Sequence, residues 1–130
     1  MVMKFILPGS IRSKKNSKRI VKAGAFYKLM PSKAYETWEE QARKAVFPQW
    51  HRQMPGGIFR EPIHVKVTAY YKGQQPDLSG ALESIGDCLE GIIWEDDKLI
   101  KSWDGSRLIH DLKNPRTEVE VQPLQPRGVG

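Results

Sequence analysis

At 130 residues, with 39% hydrophobic and 28% charged side chains, the chain has the make-up of one soluble globular domain that can bury a core without metal or disulfide staples. A single cysteine, Cys88, excludes an internal disulfide, and no apolar run reaches the length of a membrane span or secretory leader, so a cytosolic protein with no membrane partner is expected. The net charge of +6 is unevenly placed: nine Lys or Arg and no acid precede Glu36, whereas Asp77 to Asp104 holds eight acids against Lys98 and Lys101 alone.

Lys4 to Leu7 reads as a short first strand ended by Pro8-Gly9. Arg12 to Arg19, RSKKNSKR, has no apolar residue and is expected to be a loop outside the core. Ile20-Val21 and Ala25 to Tyr27 flank Lys22-Ala23-Gly24 as a hairpin, with Gly24 supplying a positive φ. Phe26 and Tyr27 are read as strand packing, with base stacking the alternative.

Ser32 is the expected N-cap of a first long helix reaching about Phe47, in which Ala34, Tyr35, Trp38, Ala42, Ala45 and Val46 recur at three- and four-residue spacing. Pro48 is expected to stop it, leaving Gln49 to Arg60 as loop. Pro62 to Lys72 alternates cleanly and is the clearest strand. A second helix follows from Ser79, with Leu78, Ala81, Leu82, Ile85, Cys88, Leu89 and Ile92 inward, Glu83 and Asp87 together on the other side, and Gly91 at its end.

Glu95-Asp96-Asp97 turns the chain into an expected strand from Lys98 to Trp103. Asp104-Gly105 is a turn, Arg107 to His110 an extended run, and Thr117 to Val121 a final strand. The pattern predicts an α+β fold, a small mixed sheet with two main helices, over residues 1–122, followed by a flexible tail at 123–130.

Two chemistries follow from the charge pattern. Carboxylates crowded among apolar residues resist joint ionisation unless a cation separates them, which points to a hard-metal site. The basic amino-terminal stretch displaces counterions from a polyanion and suits nucleic acid, with Lys14, Lys15, Lys18, Arg19 and, further on, Arg107 as candidate phosphate contacts.

At PDLSGALESIGDCLEGIIWEDDKLI the chain resembles the RusA family of Holliday junction resolvases, small dimeric endodeoxyribonucleases. Asp77-Leu78 matches the opening of the family's D-L-D-N, Asp87 its helix Asp, and Trp94 to Asp97 its closing W-x-D-D; PGSIRSKKNSKR and DGSRLIHDLKNPRTEVEV are similar to its flanking segments. The resemblance implies a homodimer acting on branched DNA with Mg²⁺ or Mn²⁺, with Asp77 and Asp97 catalytic and metal ligands drawn from Asp77, Asp97, Asp96 and Asp87; Glu83 joins both sets as this chain's own replacement for a missing carboxylate.

Two positions depart from the family pattern. Its second Asp is Ser79 here and its Lys falls on Glu83; the Asn between them is Gly80. Either the protein is a branched-DNA-binding protein with an impaired site, or Glu83 restores the missing carboxylate one helical turn on. The second is favoured because an acid replaces a base close to where an acid was lost.

Overall fold

The computed structural model describes residues 2–13 and 18–124. The alternation around Val65 becomes β4 (Ile63–Tyr71), the strand the sheet is built on. It pairs antiparallel with β7 (Arg116–Pro123) along one side. On its other side it pairs in parallel with β5 (Ile100–Ser102) at one end and β6 (Arg107–His110) at the other. The far edge is β1 (Met3–Pro8), antiparallel to β7. The result is the expected α+β architecture: a mixed five-stranded sheet with two helices.

Period-two patterning sends Phe5, Leu7, Val65, Val67, Val119 and Val121 to one face, all buried. Against it lies α1 (Lys33–Gln53), started by Ser32, whose Oγ accepts from Tyr35 N at 3.1 Å. Tyr35, Trp38, Ala42, Val46 and Trp50 form its buried stripe.

Pro48 does not stop this helix; it lies inside it, and Gln49 to Gln53 are helical rather than loop. A proline removes one intrahelical hydrogen bond. Here tertiary contacts outweigh that loss. Trp50 is buried against Phe5 and Phe59, each at 5.7 Å between ring centroids, and its indole donates to Gly57 O. Gln49 and Gln53 reach across to backbone groups of β1.

The hairpin forms with longer arms than read from sequence, β2 (Lys18–Ala23) and β3 (Phe26–Pro31), so Lys18 and Arg19 are strand rather than loop. It is a separate two-stranded sheet with Gly24 at φ +63° in its turn. Phe26 and Tyr27 are not packed inside; both are exposed.

The second helix, α2, is Leu78–Cys88, with Asp77 as N-cap and Leu89 as C-cap. Leu78, expected inside, is exposed, because the first turn precedes the point where Ala81, Ile85 and Cys88 reach the core. Cys88 is a buried thiol pushed up to about 12 by burial and the Glu39 charge.

After Trp94 the expected strand from Lys98 is instead a single 3₁₀ turn, Asp97–Leu99, before the short β5. Asp96 Oδ1 accepts from Lys98 N at 2.8 Å and closes that turn. The last strand runs past Val121 to Pro123, and Leu124 N bonds Pro62 O; the remainder of the expected tail, from Gln125 on, lies outside the described residues.

Candidate metal and nucleic-acid site

Asp77 ends the run from Gly73 to Pro76 and caps α2. Its Oδ2 accepts from Gly80 N at 3.2 Å and from Ser79 Oγ at 2.8 Å. Ser79 therefore holds one oxygen of the Asp77 carboxylate in place. Gly80 is buried here, and a Cβ would collide with the Ser13 side chain. That close approach brings the segment Ile11–Ser13 onto α2, where Ser84 Oγ donates to Arg12 O at 2.8 Å.

Two turns further along α2, Gly86 faces Asp97. A Cβ on Gly86 would stand 3.6 Å from Asp97 Cβ. Gly86 O also accepts from the buried Trp94 indole at 3.0 Å, which fixes the chain just before the acidic turn. Asp97, Glu83, Ser79, Leu82, Gly86 and Trp103 line one concavity. The carboxylates of Asp97 and Glu83 thus share a wall with the serine that holds Asp77.

On its other flank Asp97 meets two acids. Glu90 Oε1 accepts from Asp97 N at 2.9 Å, and one carboxylate oxygen each from Glu90, Asp96 and Asp97 lie within 4.8 Å of one another. Desolvation raises the Asp97 carboxyl above its ordinary value, and the charge of Glu90, the hydrogen bond that protonated Asp97 can donate to the Asp96 carboxylate, and the charge of Asp87 raise it further. A group strained in this way gains most from a neighbouring cation. The donor set, all carboxylate and hydroxyl oxygen, suits Mg²⁺ or Mn²⁺.

Of the expected metal ligands, Asp96 and Asp97 fall in the close acidic group; Glu83 lines the same concavity as Asp97 and Asp77 stands at the N-terminus of α2, both outside that group. Asp87 is half-buried; its backbone carbonyl accepts from Arg43, and its charge acts on Asp97. Glu90 belongs to the group and was not among the candidates. Its place in the acidic stretch was the signal, but only the turn at Gly91 brings it back to Asp97 N.

Among the expected phosphate contacts, Arg19 pairs with Glu36 of α1 at 3.3 Å, while Lys18 and Arg107 are exposed at the starts of β2 and β6. Lys14 and Lys15 lie outside the described residues. Arg12, counted in the basic stretch but not singled out, lines a groove with Ile11, Ser13, Gln74, Gln75, Pro76 and Asp77. A guanidinium bordering the acidic site can hold a phosphate that the carboxylates would repel.

The sequence profile of the family described as endodeoxyribonuclease RusA matches residues 8–122, nearly the whole of the described chain. No curated protein matches.

Proposed function

Because the chain belongs to the RusA endodeoxyribonuclease family, we propose that it is a Mg²⁺- or Mn²⁺-dependent endonuclease that resolves Holliday junctions and related branched DNA during recombination and repair. It works as a homodimer in the cytoplasm, one protomer per strand of a symmetric junction. No helix among the described residues is long and apolar enough to cross a membrane.

The observation that carries this reading is the shared concavity: Glu83 and Asp97 line it together with Ser79, and Ser79 holds Asp77. Glu83 then supplies the carboxylate that Ser79 lacks. Asp97, Asp96, Asp77 and Glu83 hold the cation, with Glu90 fixing the Asp97 backbone and Asp87 adding to the local negative field. A cation held by these residues would neutralise charge on the nonbridging phosphate oxygens and lower the pKa of an attacking water. Arg12 takes over the phosphate-facing positive charge that a lysine at position 83 would have given. Lys14, Lys15, Lys18, Arg19 and Arg107 offset the repulsion between an acidic site and DNA.

The test is incubation of the protein with a synthetic four-way junction and a linear duplex of equal length. Paired nicks near the junction centre, dependent on Mg²⁺ or Mn²⁺, are expected. A protein that binds the junction yet leaves it intact with both ions favours the second reading, a branched-DNA-binding protein with an impaired site. The serine and glutamate at positions 79 and 83 are the observation behind that alternative.

A further inference from the structure

The β2–β3 hairpin plays no part in the carboxylate chemistry, yet it carries the three most exposed large apolar side chains among the described residues, Phe26, Tyr27 and Ile20. Residues opposite one another across the ladder share a side, so Lys18, Ile20, Lys22, Tyr27, Leu29 and Pro31 form one face. Ile20 is 73% exposed, Tyr27 74% and Leu29 63%. Phe26, at the tip on the other face, is 78% exposed. That other face is partly covered at its base, where Arg19, Val21 and Met30 are half-buried and Arg19 pairs with Glu36. One side of the ribbon therefore leans on α1 and the other stands open.

Three large apolar side chains together on the open face, with Phe26 at the tip beside them in sequence, mark a surface that meets a partner. The charge on the hairpin selects which. From Lys18 to Pro31 there are four basic residues, Lys18, Arg19, Lys22 and Lys28, and no acid. A second copy meeting this face by twofold symmetry would set the same cations against one another. A partner that is anionic and also offers flat apolar surfaces fits both features, and nucleobases within a phosphate framework are that partner. In a linear duplex the base faces are hidden by stacking; at a branch they are open.

The hairpin is also tethered at the right place. Ser13, which packs against Gly80 beside Asp77, is joined to Lys18 through residues 14–17, a span of at most about 17 Å. We infer that this hairpin is a base-stacking wedge for the DNA branch point. Tyr27 and Phe26 stack on unpaired or splayed bases, Ile20 and Leu29 complete the apolar surface, and Lys18, Lys22 and Lys28 hold the flanking phosphates. The inference rests on the branched-DNA reading above and adds the means by which branch is told from duplex.

The test measures binding in EDTA, where nothing is cut, to a four-way junction with 2-aminopurine at the branch and to a linear duplex of equal length. Wild-type protein is expected to change the 2-aminopurine fluorescence and to prefer the junction. The double substitution Phe26→Ala and Tyr27→Ala is expected to lower junction affinity by roughly tenfold or more, leaving duplex affinity and its salt dependence unchanged. Phe26→Trp with Tyr27→Trp is expected to keep the preference. Unchanged junction affinity, or equal losses on both DNAs, overturns the inference. So does a shift from dimer to monomer in sedimentation of the alanine variant, which would assign the face to a second copy. Wild-type protein that binds neither DNA overturns the nuclease reading itself, a result distinct from any variant effect.

Discussion

Ser79 donates its hydroxyl to Asp77 Oδ2 over 2.8 Å, so the residue standing where the family has its second aspartate is bonded to the first one. A hydroxyl cannot carry charge, but it can orient a carboxylate that does. If Glu83 supplies the missing charge, Glu83→Gln lowers junction cleavage by about 100-fold or more, on the scale of losing support at a metal site. The pair Ser79→Asp with Glu83→Lys, which rebuilds the family pattern, is expected to cut junctions, whereas Glu83→Lys alone is expected to be inactive. Full activity in Glu83→Gln would show that position 83 is only a solvated helix residue.

Asp97 is raised by desolvation and by Glu90, Asp96 and Asp87, and the direction of that shift sets two expectations. A carboxyl whose folded value lies above its unfolded one weakens the fold as pH rises from the unfolded value to the folded one, and fully above it. In EDTA at neutral pH, Asp97→Asn is therefore expected to melt higher than wild type. With Mn²⁺ added, wild type gains thermal stability and the variant gains little, while its junction cleavage falls at least about 100-fold. Mn²⁺ affinity of wild type is expected to fall on acidification from a higher pH than an ordinary aspartate would give, because a proton competes with the cation for Asp97. Equal Mn²⁺ stabilisation of both proteins would remove Asp97 from the cation site.

Gln49 spans both backbone groups of Ile6, accepting from its N at 2.9 Å and donating to its O at 2.8 Å, and Gln53 donates to Lys4 O at 3.1 Å. These amides close the free edge of β1 against pairing with another sheet. Gln49→Ala is expected to cost about 1 kcal/mol in urea denaturation and to increase self-association seen by light scattering. A variant as stable and monodisperse as wild type would reduce these bonds to incidental contacts.

Arg116 bridges Glu118 at 2.9 Å and Asp111 at 3.5 Å and lies 3.8 Å over the Tyr70 ring. Burial alone would raise the Glu118 carboxyl, but Lys4 and Arg116 outweigh it and hold it below its ordinary value of 4.5. A depressed folded value contributes stability above the unfolded one and loses it as pH falls through the folded one. Arg116→Met is expected to cost about 1–2 kcal/mol at neutral pH. The difference should shrink as pH falls below the ordinary value and through the depressed folded one, where the carboxylate becomes protonated in both states. A gap that stays constant between pH 7 and 3, followed by denaturant midpoint, would assign the effect to packing alone.

The sheet was legible in the sequence because strand burial is a local property. The alternation of Ile63, Val65, Val67 and Ala69, like that of Phe5 and Leu7, is written residue by residue and needs no distant partner to be recognised. The same holds for Ser32 as a cap and for the acidic stretch as a unit, since both depend on neighbours a few positions away. Tertiary structure decided the rest. Pro48 stays helical because Trp50 and Gln49 find Phe59, Gly57 and β1, contacts that no local window contains. Glu90 joins Asp97 because the turn at Gly91 folds back, Arg12 reaches the groove beside Asp77 because Gly80 admits Ser13, and Phe26 and Tyr27 stand in water because their strands pair only with each other. Composition and spacing determine which side chains are available; only the packing of distant segments determines which of them meet.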